Sequence, residues 1–218
     1  GRCRTCARRW GSAIETVLDE AAALARHELL LHALLAGDAL PGHPTGRRLI
    51  QTHISSLLLA GGFAYKLRKP LRLPFLDFST PALRRDDCLQ ELRLNRRTAP
   101  QLYLDVLPVV GTPDVPRFGD AGDAAPQAID WALRMRRFDE GALLDSMAHA
   151  GTLDAGLVDA LAGQVAAFHA AIEASPSSFG APEGAQRWLL DALAALAASP
   201  AAQGCGPRVA ALREWSER

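Results

Sequence analysis

The sequence predicts an α+β fold, a small antiparallel sheet with one helix packed on it followed by a purely helical region. Three observations predict it. Apolar residues recur at three- and four-residue spacing at the N-terminal end and again through the last third of the chain. Between residues 48 and 138, β-rich runs alternate with turn formers and one helix-like stretch. Within that region Gly61-Gly62 separates two apolar runs, which is the strongest hairpin signal in the chain.

Taken in order, residues 1–12 are rich in Arg and Cys without periodicity and read as a tail. Ile14, Val17, Leu18, Ala21, Leu24 and Ala25 predict a helix over residues 13–36, with Gly37 as its stop. Residues 41–46 read as a loop. Residues 48–59 are extended, and Phe63–Leu67 is the return strand, ended by Pro70 and Pro74. Pro81 suits the first turn of a helix capped by Ser79 or Thr80. That helix runs to about Arg97 with Leu83, Cys88, Leu89 and Leu92 on its buried side. Residues 102–110 are β-rich, 111–126 read as a turn or loose loop, and Ile129–Phe138 as another strand. Leu143, Leu144 and Met147 mark a short helix. Leu153, Leu157, Val158, Leu161, Val165, Phe168 and Ile172 mark a longer one whose stripe is expected in a core. Residues 175–184 read as a loop, and Arg187–Ala198 as a helix.

Composition narrows the function classes. The chain has 218 residues, 49% hydrophobic and 22% charged, with no formal net charge, which excludes a disordered chain. The longest apolar run, Leu29–Ala36, is far short of the roughly 20 residues of a membrane span. Arg8-Arg9 is followed by Glu15, Asp19 and Glu20 and not by an apolar core, so it is no secretion signal. Four cysteines in such a length make no disulfide framework, so the expected compartment is the cytoplasm. The charge is unevenly placed: residues 66–97 hold nine basic and four acidic groups, and residues 138–197 hold one basic and eight acidic groups. That asymmetry can steer an anionic ligand or join two lobes. No nucleic-acid motif accompanies the basic stretch, and no nucleic-acid partner is expected. The first residue is Gly1, consistent with processing or with a fragment.

The chemistry-bearing part runs from Thr52 to Tyr103. The polar turn Thr52-His53-Ile54-Ser55-Ser56 precedes the hairpin, its return strand carries Lys66, and the next helix carries Glu91. A lysine on a sheet can reach a phosphate as a point charge, and a glutamate on the packed helix can hold that ammonium. Hydroxyls and backbone amides of the turn can cradle phosphate oxygens. On spacing alone, an ordinary surface lysine explains Lys66 better than a phosphate ligand does.

The runs Gln51–Pro70, Phe75–Thr80 and Glu91–Leu104, in that order, resemble the aminoglycoside-phosphotransferase-like proteins. That bacterial family often carries a P-loop ATPase domain behind its kinase-like one. The resemblance implies a protein-kinase-like fold, with a sheet lobe, a hinge and a helical lobe. Residues 1–27 would then be an N-terminal extension, 28–138 the sheet lobe and hinge strand, and 139–218 a partial helical lobe. It implies that Lys66 binds phosphate with Glu91 as helix partner, and that Thr52, His53, Ser55 and Ser56 lie near the nucleotide-positioning loop. Trp131–Phe138 resembles the strand entering the hinge, where backbone groups near Met135 and Arg137 would meet adenine. ATP and Mg2+ are the implied ligands of the complete protein, and the phosphate acceptor is an unnamed small molecule. His169 takes a structural role.

The departures are as informative. No His-Gly-Asp-like catalytic loop and no metal-binding aspartate occur between His169 and Arg218. Asp77-Phe78 precedes the Glu91 helix and reads as a connector, and no P-loop is present. The expectation is therefore an N-terminal part of such a kinase, inactive alone. The alternatives are a non-catalytic remnant and a protein-interaction module. Cys3-Arg-Thr-Cys6 has zinc spacing but is half a site. Replacing both cysteines by serine is expected to leave the zinc content of the purified chain unchanged, as read by atomic absorption.

Overall fold

The computed structural model describes residues 4–37, 40, 44–121, 127–173, 181–199 and 204–217, with the backbone alone for 4–18. Its α-carbon contacts divide the chain into residues 1–154 and 155–218. The first unit is a six-stranded antiparallel sheet with a helix on each face. A long helix α1 (Arg4–Ala36) precedes β1 (Arg48–Gln51), β2 (Ser55–Ala60) and β3 (Phe63–Arg68). A small separate hairpin, β4 (Arg72–Leu73) and β5 (Leu76–Asp77), leads to α2 (Pro81–Asn95). Then come β6 (Tyr103–Thr112), β7 (Val115–Phe118), β8 (Asp130–Arg136) and the short α3 (Leu144–His149). The strand order is β1-β2-β3-β8-β6-β7.

Alternation of side chains sorts the sheet into two faces. Leu58, Tyr65, Leu67 and Val109 pack with Leu30, Leu31 and Leu34 of α1. On the other face Val106, Trp131 and Leu133 pack with Cys88 of α2. Helix α1 is continuous across residues 27 and 28, and His27 is buried one turn before Leu30 and Leu31. The expected tail at 1–12 is corrected from Arg4 onward, which is helical; residues 1–3 lie outside the described residues. Arg and Ala form helices well without any apolar stripe, so a search for periodicity passes over them.

The Gly61-Gly62 turn joins β2 to β3 with Ala60 opposite Phe63, and Gly61 takes the positive φ of 56° that such a turn needs. Thr80 caps α2, its Oγ1 accepting from Leu83 N at 3.3 Å, with Pro81 in the first turn. The buried side of α2 differs from expectation. Leu83 and Leu89 are exposed, whereas Arg84 is buried beside Cys88. Arg84 satisfies its guanidinium there: Nε donates to Asp130 Oδ1 at 2.7 Å, Nη1 to Phe78 O at 2.9 Å and Nη2 to Ile129 O at 3.3 Å. A guanidinium bonded through all three nitrogens is a tolerable buried group, and hydrophobicity alone misplaces the helix face. The expected loop at 111–126 contains a strand: Val115 pairs with Thr112 across a two-residue Pro113-Asp114 turn. Residues 122–126 lie outside the described residues. Pro116 interrupts no ladder because β7 is at the sheet edge.

The second unit holds α4 (Ala155–Ala171), α5 (Pro182–Ala198) and α6 (Gly206–Ser216). Among its described residues Leu193 of α5 and Val209 of α6 are buried. The stripe of α4 expected in a core is exposed, including Leu157, Val158, Leu161 and Val165. Periodicity identifies an apolar face and not what covers it. His169, near the end of α4, is exposed with its ring 6.1 Å from that of Phe168. The loop expected at 175–184 gives way to α5 at Pro182, and 174–180 lie outside the described residues. Among the described residues no helix is long and apolar enough to cross a membrane.

Gly111 has φ of 96°, and a β-carbon there would stand 2.5 Å from the carbonyl oxygen of Val115. Gly111→Ala is expected to destabilise the sheet unit by about 1–3 kcal/mol, read as a lowered midpoint in urea unfolding with unchanged m-value.

Candidate functional site

The α2 face of the sheet holds a cluster of opposite charges. Lys66 and Arg68, two residues apart on β3, emerge on the same face. Asp87 and Glu91, four apart on α2, share one side of the helix. Lys66 Nζ donates to Glu91 Oε1 at 2.8 Å and to Oε2 at 3.0 Å. Arg68 Nε donates to Asp87 Oδ2 at 2.5 Å, Nη1 to Ser55 Oγ at 2.9 Å, and Nη2 to Glu91 Oε2. The Phe78 ring lies against Arg68, its centroid 5.5 Å from Cζ. The Lys66 side chain is 24% exposed, that of Glu91 14% and that of Arg68 8%, so solvent reaches Lys66 more than either of these, with Asp87 at 35% on the rim of the cluster.

Beside Lys66 on the same face is an apolar slot of about 250 Å3. Ile50, Leu57, Leu59 and Ala64 form its sheet wall, and the register sets Leu57 directly opposite Lys66. Tyr103, Met135 and Phe138 line it too, with Arg137. Tyr103 gets there by an irregularity in β6. Tyr103 opposes Met135 while Asp105 opposes Arg134, so one extra residue switches the parity of the strand. Burial, and then the charge of Glu91, push the Tyr103 phenol above its ordinary range. An apolar slot of this size suits a flat ring, and the ammonium next to it suits an anion carried by that ring.

The turn between β1 and β2 is internally closed. Thr52 N and Oγ1 both donate to Ser55 O, at 2.8 and 3.0 Å, and Ser55 N donates to Thr52 Oγ1 at 3.0 Å. His53 is exposed at its tip. Ser55 faces the charge cluster. Ser56 does not: it is buried on the α1 face, 3.2 Å from His27 Nε2, and its side chain is separated from Lys66 by the sheet itself. Of the residues expected together, Lys66 and Glu91 therefore meet, Ser55 joins them through Arg68, and Met135 and Arg137 line the adjoining slot. The Arg136 amide donates to Leu102 O at 2.8 Å and that of Arg137 to Gly62 O at 2.9 Å, so the sheet uses both.

Arg68 and Asp87 were missed as members of this cluster. Their signals are the Lys-x-Arg alternation on a strand and the four-residue carboxylate spacing on a helix. Asp77 accepts from Ser79 N at 3.0 Å and Ser79 Oγ at 2.5 Å, bonds that hold its carboxyl below the usual range, with Arg72 assisting. It is a connector residue. Among the described residues no group of three or more His, Cys, Asp or Glu could hold a metal ion.

No family model matches the chain, and no solved structure matches it. The chain is similar to uncharacterized proteins of Mycobacterium tuberculosis and Mycobacterium bovis, 34% identical over 119 residues. That stretch is 55% of this chain and 22% of each relative, so the chain spans well under half the length of the relatives it matches.

Cys88 lies on α2 under this cluster, and burial pushes its thiol from the ordinary 9.0 up to about 12. Its contribution to stability is whole below the unfolded value near 9.0 and is lost as pH climbs through about 12. At pH 8, iodoacetamide is expected to label the exposed Cys205 and spare Cys88 until the chain unfolds, read by peptide mass spectrometry.

Proposed function

We propose that this chain supplies the nucleotide-binding sheet lobe of an ATP-dependent small-molecule kinase of the aminoglycoside-phosphotransferase-like type. The observation that carries the proposal is the Lys66–Glu91 pair beside the apolar slot. A strand lysine held by a helix glutamate is the phosphate-binding device of protein-kinase-like sites. In this reading a purine enters between Leu57, Ala64 and Met135, and Lys66 extends to its phosphates. The closed turn at Thr52–Ser55 borders the same face and limits where the phosphates lie. Thr52 and Ser55 act there as parts of a rigid turn, since their hydroxyls are already bonded.

Magnesium needs oxygen ligands, and the residues described do not fit it. The carboxylates beside Lys66, Asp87 and Glu91, are committed to Arg68 and Lys66, and Glu140 at the slot is paired with Arg48. Phosphoryl transfer needs metal charge and a positioned nucleophile, so no transfer step is assigned to these residues. That commitment favours a second reading, a lobe that binds nucleotide without catalysing transfer. The two readings share the binding site and part at turnover.

Lys66→Met is the deciding variant. Hydrogen bonds to charged groups contribute roughly 1.5–3 kcal/mol, so affinity for Mg-ATP is expected to fall about 10- to 100-fold by isothermal titration calorimetry. Equal affinity of variant and parent, or a parent that binds no ATP, removes the proposal.

A further inference from the structure

Glu91 has two cationic partners, and they are not equivalent. Arg68 also holds Asp87 and Ser55, so its planar fork is fixed by three groups from β2 and α2. It cannot turn away without leaving a buried guanidinium and two carboxylates short of partners. Among the described residues Lys66 is bonded to Glu91 alone; it is the more exposed of the two cations and ends in a compact ammonium on a flexible stem. We infer that Arg68 is the permanent partner of Glu91 and Lys66 the exchangeable one, which makes Arg68 a positioning residue for the phosphate site.

The physical reason is the cost of stranding a charge. A mostly buried carboxylate with one cation holds that cation tightly, because release leaves it unpaired. With Arg68 in place, Lys66 can pass to a phosphate oxygen while Glu91 keeps a hydrogen-bonded cation. The same guanidinium ties Ser55, and through it the Thr52–Ser55 turn, to α2. Turn, strand and helix are thereby set before a ligand arrives. The inference rests on the nucleotide reading given above.

The test uses the full 218-residue chain with Lys66→Met, Arg68→Gln, Glu91→Gln and the Arg68→Gln/Glu91→Gln double variant. Each is titrated with Mg-ATP by calorimetry and unfolded in urea. Arg68→Gln is expected to weaken Mg-ATP about tenfold, because Lys66 becomes the sole cation of Glu91. Adding Glu91→Gln is expected to restore most of that loss by releasing Lys66. A merely structural role for Arg68 gives no recovery in the double variant, and that result, or unchanged affinity in Arg68→Gln, overturns the inference. Lys66→Met separates the two claims: if it binds as the parent does, the nucleotide reading fails whatever Arg68→Gln shows. The urea midpoint ranks the partners without nucleotide. Arg68→Gln is expected to lower it more than Lys66→Met, and the reverse order overturns the assignment. If Arg68→Gln does not fold, Arg68→Lys takes its place. A point cation reaches Glu91 but not all three partners, so intermediate affinity, again raised by Glu91→Gln, is the supporting result and unchanged affinity the contrary one.

Discussion

The parity of a pleated strand governs this molecule. Successive residues of β2 and β3 point to opposite faces, so Ser55, Leu57, Ala64, Lys66 and Arg68 belong to the α2 side while Ser56, Leu58, Tyr65 and Leu67 belong to the α1 side. One face becomes an apolar slot running into a charge cluster. The other becomes a core under α1. A slip of one residue would exchange them, putting Lys66 against Leu31 and Leu34. Apolar packing on both faces makes that slip costly, so the register that builds the core also aims the lysine.

Asp130 joins the layers at one end of the sheet. Its Oδ1 accepts from Arg84 of α2 and from the Trp131 amide, and its Oδ2 lies 3.6 Å from Nδ1 of His27 on α1. His27 in turn meets Ser56. One buried carboxylate is thus bonded to α2 on one face of the sheet and approached by α1 on the other, where His27 Nδ1 makes no hydrogen bond among the described residues. Such a group is destabilising to break, by roughly 3–5 kcal/mol when one partner is removed. The α2 helix that presents Glu91 is accordingly anchored twice, through Arg84 near its start and through Arg68 near its middle. The carboxylate facing Lys66 is therefore held in place by the fold itself.

Much of the fold was legible in the sequence because it is written in local signals. Gly61-Gly62 marked the β2–β3 hairpin, Thr80-Pro81 marked the start of α2, and the β-rich runs marked β6 and β8. Lys66 and Glu91 were singled out through resemblance, and the structure brings them together. What escaped depended on partners distant in the chain. Arg84 is buried only because Asp130 and the Ile129 carbonyl, 46 and 45 positions away, meet it together with the nearby Phe78 carbonyl. Ser56 reads like its neighbour Ser55 until pairing shows which face each takes. The Tyr103–Asp105 irregularity leaves no mark in composition. The Arg-rich start of α1 has no apolar stripe, and β7 hid behind the proline that its edge position tolerates.

That edge position has a consequence for association. A sheet with open margins invites a strand from another copy, and the two margins here are β1 and β7. Each is four residues long. One begins with Arg48, whose side chain is paired with Glu140, and the other carries Pro116, which lacks an amide hydrogen to offer a newcomer. Strand addition is therefore disfavoured at both borders.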